Sequence, residues 1–143
     1  MTIAECNRRV SEAVSQIDVQ KAVIVQSMEV DMVEMEQKRM FEGLLSTGEP
    51  TTPYYTPFTV AIKTAKGQPT DRVTLKDTGD FYNAMFVEVI GDSVVFDSKD
   101  YKSEDLKDKY GETIFGLSDE NRTEVKSMCA QRLLQLFREL TKL

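Results

Sequence analysis

Asp77-Thr78-Gly79 is the triplet on which an aspartic protease presents its catalytic carboxylate. Such a site needs its Asp to follow an apolar strand and to face a second carboxylate, so that two crowded like charges share one proton. A one-domain chain could meet that need by pairing with a copy of itself. The flanks argue against it. Lys76 precedes the triplet and Asp80-Phe81-Tyr82 follows it. The rest of the chain has helical periodicity, not the pattern of an all-β barrel. The triplet is therefore read as turn chemistry. Thr78 or Asp77 caps a short turn, Gly79 permits a tight approach, and Phe81 enters the core.

Other reactive groupings are scarce. The chain contains no His. That removes the usual acid–base group near neutral pH, every Ser-His or Cys-His nucleophile pair, and most transition-metal sites. Cys6 and Cys129 stand near opposite ends, each inside a helical pattern, and both read as small buried hydrophobes in a reducing compartment. Asp97 and Asp100 resemble the opening of a calcium loop, but the glycine and terminal Glu of that loop are misplaced. The acidic run from Asp97 to Asp108 is read as solvated charge. Ala65-Lys66-Gly67-Gln68-Pro69-Thr70 lacks the spacing and the Gly-Lys-Ser/Thr end of a phosphate loop. No catalytic, cofactor-binding or metal-ligating residue is expected, and the chain is not read as an enzyme.

The elements that hold these residues follow from periodicity. Ile3, Cys6, Val10, Ala13 and Ile17 form one helical stripe. A second helical stretch spans about 19–45. Asp18 caps its start, or the two stretches merge with a bend. Met28, Met32 and Met35 lie on one stripe of it, either as flexible core packing or as an adaptable surface for a partner helix. All four prolines fall between 50 and 69, which makes 47–76 a long arm, with a short helix or strand open at 59–65. Tyr54, Tyr55 and Phe58 lie beside Lys63, Lys66 and Arg72. The mixture could stack on nucleic acid. The favoured reading is an arm whose aromatics anchor it to its own or a neighbouring subunit.

Two β-rich runs flank Gly91-Asp92 and predict a hairpin over about 85–98. Ser103 is expected to cap a short helix ended by Tyr110-Gly111. Ser118 is expected to cap a last amphipathic helix over about 118–141, with Val125, Met128, Cys129, Leu133, Leu136, Phe137 and Leu140 on one face. The length of 143 residues suits one domain, of α+β class, divided into N-terminal helices (1–46), the arm (47–76), and hairpin plus C-terminal helix (77–143). The opening residues have no apolar signal-peptide core and no run approaches a membrane span, so a soluble chain made in the cytoplasm is expected.

The net charge is −6, distributed as −3 over 1–46, +2 over 47–76, −6 over 77–112 and +1 over 113–143. Tight binding of nucleic-acid phosphates wants a basic footprint, which this balance denies.

In order, these elements resemble the head–tail joining and tail-completion proteins of tailed bacteriophages, the virion-morphogenesis group. The resemblance rests on Leu75, Thr78-Gly79 and Phe81 before the hairpin, on Tyr110-Gly111, and on Phe115-Gly116-Leu117-Ser118 entering the last helix. It covers about 55–143. The heavy acidic run and the aromatic arm depart from the pattern, and a neck ring protein of a crAss-like phage would accommodate both. The resemblance implies a structural subunit of a homo-oligomeric ring, dodecameric or else hexameric, in the virion neck. Its neighbours would be portal or adaptor and tail proteins. DNA would pass through the channel without specific binding. Tyr54, Tyr55, Phe58, Met28, Met32 and Met35 are the expected inter-subunit contacts; Asp77, Thr78, Gly79, Phe81 and Gly111 are expected structural turns. From another class comes the alternative of a small acidic adaptor or inhibitor that binds one partner through its Met-rich helix.

Overall fold

The computed structural model describes residues 1–142. Among them the elements are helix α1 (Ile3–Gln26), α2 (Glu29–Phe41), α3 (Pro57–Ala65), α4 (Asp80–Asn83), strands β1 (Met85–Ile90) and β2 (Ser93–Ser98), α5 (Ser103–Tyr110), a 3-10 turn (Glu112–Ile114) and α6 (Asp119–Thr141). The fold is α+β, with one two-stranded antiparallel sheet among the described residues.

Thr2 starts α1 by accepting the Glu5 N–H on its hydroxyl at 3.1 Å. The helix then runs through Asp18, which forms an exposed ion pair with Lys21 instead of capping. The break between the first two helices falls at Ser27 and Met28. There the Ser27 hydroxyl donates to the Ile24 carbonyl at 2.5 Å, and Met28 turns inward. An Asp is tolerated in an exposed helix interior when a cation one turn on offsets its charge, so Asp18 does not mark a boundary.

The hairpin pairs Met85 with Ser98 through Ile90 with Ser93 across Gly91-Asp92. One face carries buried Met85 and Val87. The side chain of Gln26, at the end of α1, closes the far edge of β1. Its amide nitrogen donates to the Val87 carbonyl at 2.7 Å, and its oxygen accepts the Val89 N–H at 3.2 Å. These backbone groups would otherwise be left as an open strand edge.

Two apolar clusters form the core, and α2 spans both. Met28, Met32 and Val87 make one, with Val125, Met128 and Cys129 of α6 against it. Met40, Phe81, Tyr82, Met85 and Ile114 make the other. Both cysteines are free and half-buried, so neither is the fully buried hydrophobe expected. α1 and α6 pack against each other along one side. As expected, the Ser118 hydroxyl caps α6, accepting the Asn121 N–H at 3.2 Å. Ser103 does not cap α5. It donates instead to Asp97 at 2.6 Å, and Lys107 approaches the same carboxylate at 3.3 Å. Asp97 is thus a half-buried tie between β2 and α5, not solvated charge, and these donors hold its carboxyl below the usual range despite burial.

A charged pair lies inside the protein where α2 meets the loops. Glu36 is 2% exposed and Arg39 5%. They bond at 2.7 Å. Arg39 also donates to the carbonyls of Ile114 at 2.7 Å and Leu44 at 2.8 Å, and Glu36 accepts the Gly116 N–H at 3.2 Å. Burial pushes the Glu36 carboxyl up to about 7, against the opposing pull of Arg39 and the Gly116 N–H. A carboxyl raised in the native state favours folding fully below its ordinary value of 4.5, and that contribution is lost as pH rises through about 7. Unfolding free energy should therefore decline across this window in the wild type relative to Glu36→Gln, measured by urea denaturation at several pH values. Parallel profiles for the two proteins would contradict the assignment. Arg39→Met should cost about 3–5 kcal/mol in the same assay, because it strands a buried carboxyl and two carbonyls; a loss below about 1 kcal/mol would show the pair to be dispensable.

Candidate functional site

The Asp77-Thr78-Gly79 turn is built by the arm and the start of α4. Gly79 has φ +93° and serves as the N-cap residue of α4. An L side chain is strained there, which accounts for a glycine at this step. Gly111 has φ +95° where α5 gives way to the 3-10 turn. Thr78 accepts the Asp80 N–H at 3.4 Å. Phe81 is buried, with its ring 5.8 Å from that of Phe115.

Asp77 does not cap the turn. Its carboxylate accepts from Lys66 at 2.9 Å and from Gln68 at 3.2 Å, so it ties the turn to the end of α3. These hydrogen bonds, Lys66 first, hold its carboxyl below the usual range. A protease dyad needs the opposite environment, in which a second carboxylate raises one of the two pKa values. The turn presents an ion-paired aspartate.

Beside the turn lies a cavity of about 160 Å³, lined in part by Tyr55, Lys63, Leu75, Phe81, Leu106 and Tyr110. Lys63 is 9% exposed. Its ammonium donates to the Lys76 carbonyl at 3.1 Å and Gln68 at 3.3 Å, and lies 4.9 Å from the centre of the Tyr55 ring. The Tyr55 hydroxyl accepts the Thr74 N–H at 2.9 Å, while the buried Tyr82 hydroxyl donates to the Thr74 carbonyl at 2.5 Å. Burial raises the Tyr82 phenol above its usual value. The bonds of Lys63, Tyr55 and Tyr82 fasten the arm.

The arm is less open than its prolines imply. Thr56 caps α3 by accepting the Thr59 N–H at 3.3 Å, and Pro57 occupies the first turn, where a missing N–H costs nothing. Its inner face, through Tyr55 and Lys63, belongs to its own subunit. Its outer face is exposed. Phe58 is 74% exposed, and Tyr54 is half exposed, its hydroxyl donating to the Thr70 carbonyl. Among the methionines, Met28 and Met32 are each 1% exposed. They are core residues and offer no inter-subunit surface, because the break at Ser27 rotates their stripe onto the hairpin and α6. Met35 alone of the three reaches an open groove, between α2, the loop after it, and the start of α6.

Sequence reasoning missed Glu36, Arg39, Gln26 and Lys63 as organising residues. A signal was present for the first: Met32, Glu36 and Met40 share one helix face at four-residue spacing, which places a carboxylate among buried methionines. Among the described residues no group of three acidic, His or Cys side chains is placed to hold a metal ion, and no helix is long and apolar enough to cross a membrane.

No protein-family model, curated protein or solved structure matches this chain.

Asp77→Asn should lose the Lys66 ion pair and destabilise by about 1 kcal/mol or less, because both side chains are about half exposed and solvent screens them. Thermal melting measures this. The native contribution is present above the ordinary carboxylate pKa and is lost as pH falls through the depressed native value, so the variant's deficit should vanish in acid. Protease activity in the wild type that disappears in the variant would overturn the structural role.

Proposed function

We propose that this chain is a structural subunit that assembles with copies of itself into a ring in the neck of a tailed phage, between portal and tail, where it lines or seals the DNA channel. The observation that carries the reading is the apolar surface one subunit leaves in water. Val14, Val19 and Val23 on α1, Phe58 and Ile62 on α3, and Ile90, Val94 and Val95 on the hairpin are all exposed. Exposed apolar side chains on three separate elements are what a subunit flanked by neighbours requires. The order of elements that resembles the tail-completion proteins supports the same conclusion.

The charge balance fits a channel component. Residues 77–112 carry −6. A like-charged lining would not grip passing phosphates. Of the Met-rich helix on which the adaptor alternative relies, Met28 and Met32 are enclosed by the chain's own core and Met35 lines the groove.

Light scattering coupled to size exclusion should show concentration-dependent self-association, and electron microscopy of the concentrated protein, alone or with portal, should show closed rings of twelve or six subunits. A chain that remains monomeric under every such condition would overturn the proposal.

A further inference from the structure

The cavity beside the Asp77-Thr78-Gly79 turn holds a cation that no carboxylate meets. Lys63 lines it and is 9% exposed. Two of its three N–H groups go to neutral oxygens, those of the Lys76 carbonyl and the Gln68 side chain, and the Tyr55 ring lies beside it. Among the described residues the third N–H has no partner and Lys63 forms no ion pair. Asp77 is near enough to feel its charge, but that carboxylate is held by Lys66 at 2.9 Å. A buried charge bonded only to neutral groups recovers little of what its desolvation costs.

The walls are apolar. Leu75, Phe81, Leu106 and the rings of Tyr55 and Tyr110 border about 160 Å³. Protein interiors keep few voids larger than a water molecule, because the wall atoms forfeit contacts. Leu75 is held on this wall at φ +56°, a left-handed conformation that a branched side chain disfavours. Exposed Lys76, Thr78 and Asp80 also line the cavity, so it opens to water on that side. Half-buried Lys102 completes the charged lining. Among the described residues neither Lys76 nor Lys102 is ion-paired, and Asp77 is already bonded to Lys66. Three lysines are thus set against one uncommitted carboxylate, Asp80. A cation would be repelled by Lys63. A phosphate would want more donors than these walls offer.

We propose that this cavity binds a small carboxylic acid with an apolar body of about six carbons, the size of the benzene that fills an apolar cavity of about 150 Å³. Its carboxylate meets the open N–H of Lys63, and its body lies among Leu75, Phe81, Leu106 and the two tyrosine rings. The acid supplies the charge that Lys63 lacks and the contacts that the walls forfeit. It touches α3, the turn and α5 at once, so its binding stabilises the chain. The site does not depend on ring assembly.

Isothermal titration calorimetry on the full chain, with benzoate and with hexanoate as probes, should show saturable one-to-one binding of at least one acid. Benzamide, of the same shape as benzoate but uncharged, should bind at least about tenfold more weakly than the better acid. Lys63→Met keeps the apolar stem and should lose a similar factor. Where thermal melting shows Lys63→Met to be poorly folded, benzamide on the wild type decides the role of charge. Leu106→Trp fills the cavity and should abolish binding. In the wild type, amide chemical-shift changes should centre on Tyr55, Leu75 and Leu106, which locates the acid without any variant. Failure of both acids to bind up to about 10 mM would overturn the proposal. So would benzamide binding as tightly as benzoate, or shift changes centred elsewhere.

Discussion

Glu36 and Arg39 sit where α2, the loop after it and the turn before α6 converge, and the arrangement of these three depends on them. Taking two charges out of water costs several kcal/mol per ion, and their mutual attraction recovers that only when the remaining hydrogen-bonding capacity is filled. Arg39 fills most of its own by reaching the carbonyls of Leu44 and Ile114, and Glu36 receives the Gly116 N–H. Those backbone groups come from the loop after α2, the end of the 3-10 turn and the turn before α6, none of them part of the hairpin or a long helix. The pair thus takes the place of secondary structure. It specifies where two loops must lie more than it adds to stability. One Glu36 oxygen and the Arg39 Nε find no protein partner, which fits a carboxyl driven upward by burial.

The same logic recurs at a smaller scale. Gln26 completes the edge of β1, Lys63 and Tyr55 tie the two ends of the arm together through Lys76 and Thr74, and Asp97 joins β2 to α5. A sheet of two strands cannot organise a domain of this size by itself. Single polar side chains that reach across elements supply the positional information a larger sheet would have provided. Apolar side chains fill the space between, and they do so most completely around α2.

The outward surface follows from this division of labour. With Lys63 turned in and latched, the apolar face of α3 has no place in its own core. With Asp77 committed to Lys66, the Asp-Thr-Gly turn is a fastening of that helix to the body of the subunit. The residues that first suggested chemistry therefore hold α3 with its apolar side outward.

Local signals were enough wherever the physics is local. Gly91-Asp92 between alternating β-branched runs determines a hairpin, because the turn and the alternation set the register together. Ser118 before Asp119 and Glu120 determines the start of α6, because a hydroxyl acceptor and two acids satisfy and complement free N–H groups within one turn. Gly79 and Gly111 mark turns that need left-handed backbone. Partnerships across the chain were decided only by the tertiary structure. Asp18 resembled a cap but is paired to Lys21 within the helix, and the break falls at Ser27, where Met28 finds Val87 and α6. Whether a methionine stripe faces core or solvent depends on what packs over it, and helical spacing carries no such information. Lys63 is buried because a carbonyl thirteen residues away and an aromatic ring await it. Periodicity states that a face exists; only the assembled chain decides which way it points.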